Sequence, residues 1–314
     1  MSSPLIRLFR ARFLRCLLFF VALVILFSLL SPYFFARSNF DNIIAASAVT
    51  GLLALGGTFV IGSGGIDLSI ASVMALSGTV CARLIQDSLY GPIISVAICA
   101  GVGALCGGVT GTLVNLTRAP SFIVTLGMLS VTRAFAYIIA DGVPIYGLPS
   151  SVTEVGQGEI VGISLPVAIF IGASACAAMI LRRSVFGMRV LFFGDNPGAA
   201  ENLGINANLL RLKVYTLSGI FSGIAGFVFM ARTNAGDPTA GLNYELMAIT
   251  AVILGGTDLF GGRATVFGTV LGTLCLGALQ NGLNLLAVST YYQVLFVGVV
   301  LIGAALLERF GRGE

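Results

Sequence analysis

Apolar residues in this chain run on for about twenty positions at a time, and Gly, Pro and charged residues punctuate the runs. A helix needs roughly 20 apolar residues to cross a bilayer. Ten runs of this kind lie near 14–31, 40–61, 67–86, 92–117, 120–140, 160–181, 212–232, 243–260, 264–286 and 290–307. They predict an all-α membrane protein of about ten transmembrane helices, some broken or half-spanning, in a single transmembrane domain covering 1–314. The first run reads as a retained span and not a signal peptide, because it is long and no convincing small-x-small cleavage site follows it.

One interval breaks the pattern. From Arg182 to Lys213 the chain carries five basic residues, two acidic ones and a proline. The positive-inside rule says where this island lies. With the N-terminus in the cytoplasm and ten crossings, the C-terminus is also cytoplasmic. The inner loops then hold Arg7, Arg10, Arg12, Arg15, Arg118, Arg182, Arg183, Arg189, Arg211, Lys213, Arg263, Arg309 and Arg312, which is 13 of the 17 Lys plus Arg. Arg37, Arg83, Arg133 and Arg232 fall outside. The largest outer loop, about 141–159, has Asp141, Glu154 and Glu159 and no basic residue. One span more or fewer before residue 182 would destroy this asymmetry, so the loop at about 182–211 is expected to face the cytoplasm.

Composition agrees with lipid as the main solvent. Only 10% of the residues are charged and 57% are hydrophobic, against about 25% charged in soluble domains. The mean hydropathy is +1.02, and the 41 glycines fit the glycine-rich character of membrane helices. The six Cys lie in apolar stretches with no Cys-x-x-Cys pair, and read as small buried hydrophobes. The net charge of +4 is spread over short loops, which implies no nucleic-acid partner. With no histidine in the chain, histidine-based catalysis, His metal sites and a Ser-His dyad are excluded. No metal site is expected.

Within the island, Asn196-Pro197 reads as an N-cap followed by the first helical residue. Gly204 reads as the left-handed stop. The two turns between them, Pro197 to Leu203, are too short to be stable alone. Packing must hold them, on this protein or on a partner. Ala199, Ala200 and Leu203 can share one face, with Glu201 and Asn202 exposed beside it. By spacing alone, a plain amphipathic linker on the membrane surface and a helix inserted into a partner's groove both remain open.

The run "FGMRVLFFGDNPGAAENLGINANLLRLK" is similar to the cytoplasmic coupling segment of ribose-type sugar permeases in bacterial ATP-binding-cassette importers. Phe186, Gly187, Val190, Gly194, Asn196, Ala199, Ala200, Gly204 and Ile205 carry that likeness. Asp195 and Gly198 depart from it, where Gly and Glu are usual, and the glutamate here comes at Glu201. "GGTFVIGSGGIDLSIASVMALSG" (56–78), "RAPSFIVTLGMLSVTRAFAYII" (118–139) and "DPTAGLNYELMAITAVILGGTDLFGGRATVFGTVLG" (237–272) also resemble the family, as does "LQNGLNLLAVSTYYQ" (279–293). Met247 and Gln280 depart, where Asp and Asn are usual. The resemblance implies a fold of about ten helices per subunit in the bacterial inner membrane and a transport role without covalent chemistry. Asn196, Pro197, Ala199, Ala200, Glu201, Gly204 and Ile205 would form the docking helix for a separate cytoplasmic ATPase, which holds the ATP and Mg. A periplasmic sugar-binding protein would deliver a ribose-like pentose or related sugar, and a second copy or a paralogue would complete the pathway.

Polar residues inside apolar runs cost a few kcal/mol each, so they ask for a reason. Asp67, after Gly64-Gly65, can cap the next helix together with Ser69, or mark a broken helix lining a cavity. Asp258 repeats the pattern, since Gly255-Gly256-Thr257-Asp258-Leu259 echoes Gly64-Gly65-Ile66-Asp67-Leu68. Asn281 and Asn284 share a face of the ninth run, where they can bond across helices or meet a polyhydroxylated substrate. Asp67, Ser69, Asp258, Asn281 and Asn284 are thus the candidate pathway residues. Arg133 and Glu245 are a possible pair. Gly103, Gly107 and Gly111, with Gly268 and Gly272, form four-spaced stripes suited to close helix approach, within the chain or between subunits. No Gly-x-x-x-x-Gly-Lys-Ser/Thr run exists, so this chain does not cradle ATP itself. The competing reading is a secondary transporter in which Asp67, Asp258 or Glu245 carries protons or cations; it leaves the island without a role.

Overall fold

The computed structural model describes residues 4–86, 90–160 and 162–310. The elements in chain order are α1 (Pro4–Leu30), α2 (Arg37–Gly62), α3 (Ile70–Ile85), α4 (Pro92–Thr117), α5 (Ser121–Ile139), β1 (Ile145–Tyr146), α6 (Ser150–Gln157), β2 (Glu159–Ile160), β3 (Ile163–Ser164) and α7 (Leu165–Arg183). They continue with α8 (Val185–Asp195), α9 (Pro197–Asn202), α10 (Ala207–Thr233), β4 (Ala235–Gly236), α11 (Tyr244–Leu254), α12 (Val266–Leu285) and α13 (Thr290–Phe310). Among the described residues, seven helices are long and apolar enough to span a bilayer, and three shorter apolar ones (Ile70–Ile85, Tyr244–Leu254, Thr290–Ala304) complete the ten expected runs.

α2 and α10 form the centre. From Ser47 to Gly62 every residue of α2 is buried, and α10 packs on α4, α2 and α3. Lipid offers little hydrophobic drive between helices, so close approach and polar glue must hold them. Both are present. A Cβ on Gly103 would meet the Gly219 carbonyl, one on Gly107 the Tyr215 carbonyl, and one on Gly223 the Cys99 carbonyl. The four-spaced stripe on α4 is therefore an intramolecular seam with α10. Gly268 and Gly272 do the same against the carbonyls of Gly255 and Ala251. Buried hydroxyls add cross-links: Thr58 to Thr269 at 2.7 Å between α2 and α12, and Thr132 to Ser72 at 2.7 Å between α5 and α3.

The bundle has two distinct ends, and α2 and α4 both finish at the one where α10 and α12 begin. At one end the Gly262 amide donates to the Gly62 carbonyl (3.0 Å), the Ile66 amide to Ser121 Oγ (3.0 Å), and the Asn115 amide group to the Asn208 carbonyl (2.8 Å). This is the island end. Arg118 and Arg263 lie in its connections, Arg182 and Arg183 in the last turn of α7, Arg189 in α8, and Arg211 and Lys213 in the first turns of α10. At the opposite end β1 pairs antiparallel with β4, and Arg83 meets Asp141 at 3.4 Å. The charge asymmetry read from the sequence therefore corresponds to a physical asymmetry of the bundle.

The eighth span departs from a continuous helix over 243–260. Its helix, α11, has 11 residues, about 16 Å at 1.5 Å per residue. That is half of a roughly 30 Å hydrocarbon core. The other half is the two-residue β4 followed by a series of turns over 238–243. Gly236 lies against Gly78 and Ala82, and Gly241 against Met74, so the chain descends antiparallel along α3. Turn backbone at this depth leaves carbonyls without helical partners. Arg133 Nη1 supplies donors, bonding the carbonyls of Pro238 (2.7 Å) and Ala240 (2.8 Å). The arginine on α5 thus serves these carbonyls while lying near enough to Glu245, the pairing that the sequence left open, for their charges to interact.

Candidate functional site

The island folds as three pieces: α8, the two-turn α9, and the start of α10. Local chemistry sets each boundary. Ser184 Oγ accepts from the Gly187 amide (3.0 Å) and starts α8. Asn196 Oδ1 accepts from the Ala199 amide (3.0 Å), and Pro197 takes the first helical position. Gly204, at φ +82°, closes α9 in the left-handed region that an L side chain resists. There the Ile205 amide reaches the Ala200 carbonyl (3.0 Å) and the Gly204 amide reaches the Glu201 carbonyl (2.9 Å), which satisfies the terminal carbonyls. Asn206 Oδ1 then caps α10 through the Leu209 amide (3.0 Å).

The facing of α9 differs from the expectation in one respect. Ala200 is fully buried and anchors the helix, while Glu201 and Asn202 are exposed as expected. Leu203, placed by the spacing with the packed face, is instead 74% exposed. The cause is the glycine stop: α9 ends at Asn202, and Leu203 already belongs to the turn. A large apolar side chain thus stands free on a polar hairpin.

Beneath α9 the island grips both broken spans. Gly194, at the end of α8, sits where a Cβ would meet the Gly62 carbonyl and would lie 2.6 Å from the Gly262 amide nitrogen. A Cβ on Gly261 would likewise lie 2.8 Å from the Gly64 amide nitrogen and 2.9 Å from Gly194. The two Gly-Gly-x-Asp-Leu strings therefore lie together in space, one after α2 and one after α11, with the island wedged on both. Each Asp organises its own break. Asp67 Oδ1 accepts from the Ser69 amide (3.0 Å) and hydroxyl (2.6 Å), and Oδ2 accepts from Ser218 Oγ on α10 (3.0 Å). Asp258 Oδ1 accepts from the Phe260 amide (3.1 Å). Asp67 is thus not an N-cap: Ser69 occupies that position in α3, without a side-chain cap bond.

Asp67, Ser69 and Asp258 are all buried. The polar cleft at the island end, about 840 Å³, is lined instead by groups including Asn115, Arg118, Asp195, Glu201, Arg211 and Tyr215. Asn281 and Asn284 sit elsewhere. They line a polar pocket of about 290 Å³ with Asn42, Thr50, Arg232, Met247, Thr273 and Gln280. Asn281 exchanges two amide hydrogen bonds with Asn39 (3.0 and 2.8 Å), and Asn284 Oδ1 accepts from Gln293 (2.7 Å). Both therefore bond across helices while bordering the pocket. The sequence reading missed Asn42, Thr50 and Arg232. The signal available was Asn39 and Asn42, spaced three apart at the start of the second run like Asn281 and Asn284 in the ninth.

Residues 39–305 match the family described as branched-chain amino acid transport system / permease component. The chain is 38% identical over 289 residues to the ribose import permease protein RbsC of Bacillus subtilis, covering 91% of this chain and 89% of that protein. It is 37% identical to the Escherichia coli K12 protein of the same name, over 94% of this chain and 92% of that one. The D-allose transport system permease protein AlsC of Escherichia coli K12 is 36% identical over 93% and 90%. No solved structure matches this chain. The resemblance to ribose-type permeases carried by the quoted motifs is thus borne out along nearly the whole length. With its many apolar helices, the chain belongs to the branched-chain amino acid transport system / permease component family, as a multi-pass protein of the bacterial inner membrane.

Proposed function

We propose that this chain is the membrane-spanning permease subunit of an ATP-driven importer that carries a monosaccharide, ribose or a related sugar, into the cytoplasm. The observation that carries the reading is the capped hairpin Asn196–Gly204. It exposes Leu203 outward, while Gly194 beneath it touches both broken spans. A push on such a hairpin reaches Gly62–Gly64 and Gly261–Gly262 through backbone contacts that cannot absorb it. The island end takes the cytoplasmic side because the helix ends and connections there carry most of the basic residues, so both termini are cytoplasmic as well. The partners are a cytoplasmic ATPase, which holds the ATP and Mg, a periplasmic sugar-binding protein, and a second permease copy or paralogue. The relatives named for ribose and allose support the substrate class.

A gradient-driven transporter would need a carboxylate free to exchange protons or cations. Asp67 is instead held by three N–H and O–H donors, which favours the ATP-driven reading. The test is reconstitution of the permease with its genomic-neighbour ATPase and binding protein in proteoliposomes. Sugar uptake should require ATP and vanish when Ala200 is replaced by a bulky residue; uptake without the ATPase would overturn the reading.

A further inference from the structure

We infer that the pocket between α2, α10, α11 and α12 is a weak binding site for one neutral, polyhydroxylated molecule of monosaccharide size. The inference rests on the reading of this chain as a sugar permease and assigns the place where the sugar pauses. The pocket is about 290 Å³, at the small end of ligand sites, and it admits one small solute. Its lining is a run of amides and hydroxyls in an otherwise apolar bundle, with one cation, Arg232, and no Asp or Glu.

Several of these groups are under-used by the protein. Arg232 spends Nη1 on the Ala45 carbonyl (2.9 Å), leaving the rest of its donor fork open. Gln280 Nε2 points at the sulfur of Met247 (3.2 Å), and a thioether is a weak acceptor. Among the described residues, neither the Asn42 amide nor the Thr50 hydroxyl has a hydrogen-bond partner. Amides present both donors and acceptors, and a sugar hydroxyl is both as well. A cation or an apolar solute would leave these groups unmatched.

The mouth gives a second argument. Asn42, Ala46 and Asn284, on its rim, are exposed. Amides and an arginine opening onto hydrocarbon would be costly, so the rim faces water or a second copy of the chain. Met247 and Gln280 are in contact with each other on the pocket wall. They are the residues expected to tune which sugar is accepted.

The chain has no tryptophan, so a single Ala46→Trp replacement at the rim gives a reporter without tryptophan background. The purified permease carrying it is titrated with ribose, allose, arabinose, fructose and gluconate, without binding protein. The expected result is a saturable emission change with at least one neutral sugar in the millimolar range. Gln280→Leu and Thr50→Val should each weaken it at least about fivefold, and Arg232→Met should abolish it. If Arg232→Met does not fold, the other two decide. No saturable response, a response to gluconate alone, or a response untouched by Gln280→Leu and Thr50→Val would overturn the inference. ATP-driven uptake by the complete assembly is measured alongside. Intact uptake with no sugar response removes the pocket and keeps the permease reading; absent uptake counts against the permease reading, while the titration still decides the pocket.

Discussion

Replacing Gly194 with alanine adds one methyl group at the place where the island meets both broken spans. The new Cβ would meet the Gly62 carbonyl and lie 2.6 Å from the Gly262 nitrogen. Ordinary contact begins near 3.4 Å, so the Gly262 backbone must part by about 0.8 Å and the closer Gly62 carbonyl by more. All these neighbours are main chain, and none can swing aside. Overpacking of this kind costs about 1–3 kcal/mol. The Gly262–Gly62 hydrogen bond of 3.0 Å would also be strained or lost, at about 1 kcal/mol. The total is about 2–4 kcal/mol. Swinging α8 and α9 off the bundle relieves that strain, and each 1.4 kcal/mol relieved lowers the docked population about tenfold. The assay is ATP-driven uptake in proteoliposomes, with the midpoint of thermal unfolding in detergent measured on the same preparations. Gly194→Ala should cut uptake by at least about tenfold and lower the midpoint by a few degrees. Gly198→Ala, four residues on, is the control, because its nearest neighbour would be Asn196 Oδ1 at 3.6 Å. It should transport like the parent. Equal uptake by parent and Gly194→Ala, or equal damage from Gly198→Ala, would refute the reasoning.

Asp67→Asn keeps a carbonyl oxygen for Ser69 and an amide that Ser218 Oγ can accept, so it should retain most uptake, whereas Asp67→Leu should lose it; loss of uptake in both, with normal expression, would point back to a titrating carboxylate. Arg133→Leu removes the donor to Pro238 and Ala240 and strands two carbonyls at membrane depth, so it should destabilise the protein by about 2–4 kcal/mol, read as a lower unfolding midpoint. Asn196→Ala and Gly204→Ala each weaken α9 by about 1 kcal/mol without touching the bundle. Uptake should fall in both while the unfolding midpoint stays within a degree or two of the parent.

Much of this architecture was legible in the chain. Runs near twenty residues became helices because length and hydropathy decide membrane insertion before packing does. The eighth run misled. Gly241 and Asn243 supply left-handed turn backbone, but the carbonyls of Pro238 and Ala240 are satisfied by Arg133, more than a hundred residues away, and no local pattern reports so distant a donor. α10 begins at Ala207, five residues before the apolar run at 212, because Asn206 caps it and polar residues such as Asn208 and Arg211 hide that start from a hydropathy reading. The island's caps were legible at Asn196 and Gly204, since capping is local chemistry. Leu203 was misplaced because spacing continued the helix one residue past its stop. The meeting of the two Gly-Gly-x-Asp-Leu strings is tertiary: the repeat could be read, and its closeness to Gly194 could not. The roles given to the five candidate pathway residues divided the same way. Asp67, Ser69 and Asp258 are buried at the helix breaks, while Asn281 and Asn284 border a pocket whose other walls lie far off in sequence.

The central claim is that the hairpin bearing Leu203 projects into the cytoplasm and docks on an ATPase. A single cysteine at that position (Leu203→Cys), in a chain stripped of its native cysteines, tests it with a membrane-impermeant thiol reagent. The account predicts labelling in inverted vesicles, none in intact spheroplasts, and protection in vesicles once the ATPase has assembled. Labelling from the periplasmic side would contradict it.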